Sequence, residues 1–363
     1  MQTSAHDQHG HSHDHNDSYD HDHSHPHTHE HSHADEDGLW QQLKHALSGH
    51  THGHAPAALD PALATSRGIW ALKVSLIGLL ITAIFQVVVV AISGSVALLA
   101  DTVHNFSDAL TALPLWLAFA LARRRPDRRY SYGFGRAEDL AGVLIVLMIF
   151  GSALVVFYES YQRLIHPQPL ANLGWVVAAA IIGFLGNEAV AVFRIRVGRQ
   201  IGSAALVADG LHARVDGFTS LGVLLGAIGV AMGFPLADPI VGVLIGVAIL
   251  FIVRDAAREM WYRLMDAVDP VISHALEQTA HDVAGVRGVH DVRVRWLGHR
   301  LHCELHVEVD GCLPTIESHH IVEQVRHDLF HLQPALAEVI VHADPCECDG
   351  QNHHALTKHH SGG

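Results

Sequence analysis

From Ile69 onward the chain runs in long apolar stretches separated by short polar links. A helix rises ~1.5 Å per residue, so crossing a hydrocarbon core of ~30 Å takes ~20 apolar residues. Six stretches have that length: 69–92, 96–122, 137–161, 173–195, 205–231 and 238–257. Gly94 and Ser95 read as a tight turn after the first, and Pro167 and Pro169 stop the third. Asp238 followed by Pro239 reads as the start of the sixth. The second and fifth stretches carry His and Asp inside them, which is costly at membrane depth unless those groups face a partner or a water-filled space.

After Pro270 the period changes. A helix is predicted over 271–284, strands over 289–297 and 301–309, a helix over 315–332 and a strand over 337–343. Val292, Val294 and Trp296 share one face of the first strand, and Leu301, Cys303, Leu305, Val307 and Val309 share one face of the second. This αββαβ order predicts an open α+β sandwich. The fold class is therefore a polytopic α-helical membrane protein, with six transmembrane helices followed by a small cytosolic α+β domain. The predicted division is a His-rich tail over 1–66, a six-helix domain over 67–262, the α+β domain over 263–345 and a Cys/His tail over 346–363.

Basic residues set the orientation. Arg123, Arg124, Arg125, Arg128, Arg129 and Arg136 link stretches two and three; Arg194, Arg196 and Arg199 link four and five; Arg254, Arg258 and Arg263 follow six. With all of these on one side, both termini are expected in the cytoplasm, in a multi-pass protein of the cell (inner) membrane. The four cysteines are too few for a disulfide scaffold and are expected to be reduced there.

Composition then narrows the partners. The formal net charge is −14, with 23 Lys and Arg against 37 Asp and Glu. Binding to a phosphate backbone needs clustered positive charge, so nucleic acid is not expected as a partner. Histidine numbers 34, and 16 of these lie within residues 1–54, where few large apolar residues accompany them. Such a segment cannot bury enough apolar area to offset its ordering entropy. His21, His23, His25, His27, His29, His31 and His33 read as an auxiliary metal collector. The His29-Glu30-His31-Ser32-His33 run satisfies a zinc-protease pattern by repetition alone.

The second and fifth stretches share one polar pattern. His104 and Asp108 match His212 and Asp216, each pair four residues apart and so on one helix face. Together they offer two imidazoles and two carboxylates, a tetrahedral set suited to Zn2+. Interhelical hydrogen bonds or a place at the membrane surface are the plainer reading of either pair alone. Asp101 and Asp209 extend the match as Ala-Asp-x-x-His-x-x-x-Asp and read as helix caps or as outer partners of the ligands.

Over residues 69 to 346 the chain resembles the cation diffusion facilitators. The resemblance rests on the paired His-x-x-x-Asp patterns, Gly133-Phe134-Gly135-Arg136-Ala137-Glu138, the segment from Glu159 to Pro167, Val289-His290-Asp291-Val292-Arg293 and Val341-His342-Ala343-Asp344-Pro345. It implies a homodimer with a metallochaperone-like cytosolic domain, exporting a divalent metal in exchange for protons. It also implies that His104, Asp108, His212 and Asp216 form the transport site. Relatives selective for manganese or iron commonly carry Asp where His104 stands, so zinc is favoured, with cobalt, nickel, cadmium or iron as alternatives. Metal is thus expected as substrate and regulatory ligand, and no catalytic cofactor is expected.

The resemblance further assigns His290, His306, His319, His342 and Asp344 to a cytosolic metal cluster at the dimer contact. It also makes Arg136 and Asp266 a charge pair tying the third helix to the base of the sixth. His302, Glu304, His306 and Glu308 alternate along a strand, which is equally the pattern of a solvated face. His327 and His331, four apart, are either an added site or an exposed helix face. Tyr130 and Phe134 stand where some relatives place further metal-binding histidines, so that site is expected to be absent; Asp127 alone would not hold zinc. A membrane-anchored metal buffer or sensor, and an intramembrane metal-dependent hydrolase, are the competing functions.

Overall fold

The computed structural model describes residues 61–93, 112–165, 173–234 and 236–346. Among the described residues six helices come first: α1 (Pro61–Ser93), α2 (Ala112–Ala122), α3 (Arg136–Ile165), α4 (Leu173–Ile201), α5 (Ala204–Ala231) and α6 (Ala237–Leu264). Five of them, all but α2, are long and apolar enough to cross a membrane. Of the stretch read as the second span, only α2 falls within the described residues.

The helices outrun the apolar stretches that announce them. α1 begins at Pro61 rather than near Ile69, and α6 continues to Leu264 rather than stopping near 257. Hydropathy marks the depth of the apolar medium, whereas a helix ends where its backbone groups find other partners. Asp238 is not the cap of α6, because Leu236 holds that position; the carboxylate pairs instead with Arg163 of α3 at 2.7 Å.

Large side chains such as Leu80, Ile81, Phe85, Leu147, Leu244 and Phe251 face outward, while Leu115, Phe119, Ile145, Ile149, Leu206 and Ile249 fill the interior. α5 is the most enclosed span, with 44% of its apolar window buried, against 22% for α6. It packs tightly on α4. A Cβ at Gly210 would lie 2.9 Å from the backbone nitrogen of Ile195, so no larger residue fits without moving the helices apart.

Only Gly202 and Ser203 separate α4 from α5, and Ser203 caps α5 by accepting the Leu206 N–H at 3.1 Å. Arg194, expected in a basic loop, is therefore inside the bundle. It forms an ion pair with Asp209 at 3.0 Å, the two side chains 1% and 0% exposed, and donates from Nε to Ser75 Oγ at 2.8 Å. Asp209 thus departs from the cap reading: its helix began five residues earlier, and its carboxylate is matched by a guanidinium that charge counting had placed in solvent.

The C-terminal domain contains α7 (Pro270–His281), β1 (Gly288–Leu297), β2 (Arg300–Val309), α8 (Thr315–Leu332) and β3 (Leu336–Pro345). The sheet order is β1-β2-β3, antiparallel between β1 and β2 and parallel between β2 and β3, with α8 as the crossover. Burial alternates along β2, where Leu301, Cys303, Leu305, Val307 and Val309 meet Leu276 and Ala280 of α7 and Val325 and Leu329 of α8. Burial pushes the Cys303 thiol up to about 12. Cys303 and Cys312 are free thiols, the first buried in the sheet core and the second exposed.

A bulge between His290 and Arg293, with Asp291 at φ 52°, adds a residue to β1. It lets Val289 and Val292, one odd and one even, both pack on the core.

The β1–β2 turn joins this domain to the bundle. At its tip, Gly298 has φ +62°, and a Cβ there would come 2.9 Å from the Gly135 carbonyl. His299 is 2% exposed. Its Nδ1 lies 2.7 Å from Glu138 Oε2 of α3, and its Nε2 lies 2.8 Å from Thr65 Oγ1 of α1. The Gly298 N–H donates to Asp139 at 3.1 Å. Arg263, at the base of α6, donates to the carbonyls of Gly298 and Gly202, both at 3.1 Å, and lies over the Trp296 ring. Arg300 donates to the carbonyl of Ala122 at the end of α2 at 3.3 Å.

Two outcomes follow for thermal unfolding in detergent. His299→Ala leaves the Glu138 carboxylate buried without its imidazole and should destabilise the protein by about 1–3 kcal/mol; the penalty should shrink in a Glu138→Gln background. Arg194→Met alone should cost about 3–5 kcal/mol, whereas Arg194→Met with Asp209→Leu should recover most of it, because replacing both members of a buried pair removes the unmatched charge.

Candidate metal centre

His212 and Asp216 lie one turn apart on α5 and are 2% and 5% exposed. Their matching residues His104 and Asp108, with Asp101, lie outside the described residues, as do His21, His23, His25, His27, His29, His31 and His33. The carbonyl of Asp216 accepts from Thr219 Oγ1 at 2.8 Å and from Ser220 Oγ at 3.2 Å. Such back-bonding keeps two hydroxyls from needing partners in an apolar medium. Asn187 on α4 is also buried, at 5% exposure. One turn beyond Asp216, Thr219 helps line a cavity of about 70 Å3 whose polar groups include Glu159, Ser160, Arg163 and Asp238.

The second constellation is on the sheet. Strand register places His290 opposite His306 and His306 opposite His342, so three imidazoles stand in one row across β1, β2 and β3. Their even positions on β2 and β3 point away from α7 and α8, on the uncovered face. Asp344, 3% exposed, sits beneath them. Its Oδ2 is 2.8 Å from His306 Nδ1 and 3.4 Å from His290 Nε2, while its Oδ1 is 3.0 Å from His342 Nε2. Ligating atoms of His290, His306 and Asp344 all lie within 4.8 Å of one another, a spacing that one metal ion can span. His319, on the exposed side of α8, is not among these converging groups. His302, on the same strand face as His306, has its pKa lowered by burial and partly restored by Glu338 at 3.1 Å.

Arg136 and Asp266 are brought together: Arg136 Nη2 bonds Asp266 Oδ1, and its Nη1 donates to the Arg263 carbonyl at 2.9 Å. In the link before α3, Tyr130 and Phe134 stack with centroids 4.6 Å apart, and Asp127 Oδ1 accepts the N–H groups of Arg129 and Tyr130 at 2.8 and 2.7 Å. That carboxylate is committed to its own turn. The buried pairings absent from the sequence reading are Arg194 with Asp209 and His299 with Glu138. Glu138 was visible as the last residue of a motif, but nothing in the sequence pointed to its partner 161 positions away.

Comparison with known proteins agrees with this layout. The family model for the cation efflux transmembrane domain matches residues 72–265, and that for the cation efflux protein cytoplasmic domain matches residues 268–346. A probable cation efflux system protein of Mycobacterium tuberculosis is 52% identical over 314 residues, covering 86% of this chain and 95% of that protein. The cation-efflux pump FieF of Serratia proteamaculans is 31% identical over 255 residues, covering 70% of this chain and 85% of that one. FieF of Yersinia pestis is 30% identical over 271 residues, covering 72% and 88%. With five membrane-length helices among the described residues and a three-stranded α+β domain, matching both family models in order, the chain belongs to the cation efflux, or cation diffusion facilitator, family of multi-pass membrane transporters.

Proposed function

We propose that the protein is a homodimeric secondary transporter that exports divalent metal cations, zinc foremost, from the cytoplasm in exchange for protons. The carrying observation is the burial of His212 and Asp216 one turn apart in the most enclosed span. Ionisable groups at membrane depth are costly and mark a cation or proton path by default. His104 and Asp108 would complete the ligand set, and the two carboxylates would offset the charge of the ion. Iron, cobalt, nickel and cadmium compete for the same donors, and the relatives named as cation-efflux pumps fit metal export in general.

Proton exchange has a direct chemical basis. Imidazole titrates near ~6.5, so metal and proton compete for one lone pair close to physiological pH. In this reading metal loads from the cytoplasm, where both termini lie, and protons arriving from the other side displace it. The His290–His306–Asp344 group fits a regulatory metal by its donor set and spacing, and the N-terminal histidines would raise local metal concentration without being required for transport. The same sheet cluster also suits a membrane-anchored metal buffer or sensor, which would bind metal without carrying it.

Zinc uptake into proteoliposomes under an imposed proton gradient separates these readings. Asp216→Ala and His212→Ala should each reduce uptake to background; metal bound but never accumulated by the wild type would establish the buffer. Collapsing the gradient with a protonophore should abolish accumulation, and uptake indifferent to it would remove the antiport. Deletion of residues 1–54 should raise the half-saturating zinc concentration only modestly.

A further inference from the structure

His327 and His331 lie on the face of α8 turned away from the sheet, on the opposite side of the domain from the His290–His306–His342 row. Their backbone is anchored from below, since Val325 and Leu329 of the same helix are fully buried. Four residues apart, the two rings project side by side, with Nε2 of one 3.1 Å from Nε2 of the other. Ring centroids are 4.4 Å apart at 61°.

The tautomers follow from the partners. Asp328 Oδ1 is 3.1 Å from His327 Nδ1, and a carboxylate accepts, so that nitrogen carries the proton. The Nε2 lone pair of His327 then faces His331, and the short N–N contact holds one proton, donated by His331 Nε2. A cation can take the place of that proton. With metal–nitrogen bonds of ~2.0–2.1 Å, a 3.1 Å separation subtends about 98° at the ion, between the octahedral and tetrahedral values. A carboxylate on the far nitrogen is also the arrangement that fixes a ligating imidazole and raises its basicity.

We propose that His327 and His331 form a two-imidazole chelate for a borderline divalent cation such as nickel, copper(II) or zinc. Water completes its coordination, and the site is separate from both the membrane constellation and the sheet cluster. Side-chain exposure of 63% at His327 makes the site open and readily exchanging. Hard cations such as magnesium prefer oxygen donors and do not compete for it. The site does not depend on the transport reading above.

The test is residue-resolved carbethoxylation of the full-length protein in detergent, read by peptide mass spectrometry at buffered free nickel. His327 and His331 should be protected together with one midpoint, at nickel concentrations that leave His274, 80% exposed on α7, fully reactive. Magnesium should protect neither. In His331→Ala the midpoint for His327 should rise about 10-fold or more, because the second ligand no longer adds its effective concentration. Protection of the pair only where His274 is also protected would overturn the chelate. So would a His327 midpoint unmoved by His331→Ala or by His331→Gln.

Discussion

A carboxylate and an imidazole sealed from water hold the sheet domain to the helical bundle. Glu138 and His299 are 1% and 2% exposed, and each is an expensive group to bury unless the other is present. Thr65 extends the contact to α1, Asp139 receives the neighbouring backbone N–H, Arg263 of α6 donates to carbonyls at the hairpin tip and after α4, and Arg300 donates to the carbonyl at the end of α2. The bulged β1, the left-handed Gly298 and the overrun of α1 and α6 beyond their apolar stretches all make sense as the means of bringing one hairpin tip to five helices.

The same accounting governs α5. Four ionisable groups meet at its buried faces: Arg194, Asp209, His212 and Asp216. Arg194 and Asp209 form an ion pair at 3.0 Å, and the His-x-x-x-Asp pair proposed to bind cargo begins one turn further on. An ion-paired carboxylate and the pair proposed to bind cargo therefore sit one turn apart on a single helix.

Much of the fold was legible in the sequence because its signals are local. The alternation along β2 and the apolar lengths of the spans are periodic features that no distant contact overrides, and α8 has the bounds predicted for it. What could not be read was pairing. Arg194 looks like any topogenic arginine until α4 runs on to Ile201, and Asp209 looks like a cap until the helix starts at Ala204. The sheet cluster shows the intermediate case. Alternation placed His306 on the uncovered face, but only the register and the bulge put His290 and His342 beside it and Asp344 beneath. His104 and Asp108, proposed to complete the set with His212 and Asp216, lie outside the described residues.

The two-residue link between α4 and α5 has a mechanical meaning. With only Gly202 and Ser203 between them, and with Gly210 pressed against Ile195, the two helices are packed backbone against backbone beside the turn. Asp216 lies fourteen residues from Gly202, roughly 21 Å along the axis at ~1.5 Å per residue. At the near end of that length the Gly202 carbonyl accepts from the same guanidinium that donates to Gly298. One guanidinium thus clasps the α4–α5 turn and the hairpin tip together, so the membrane bundle and the sheet domain share a single joint.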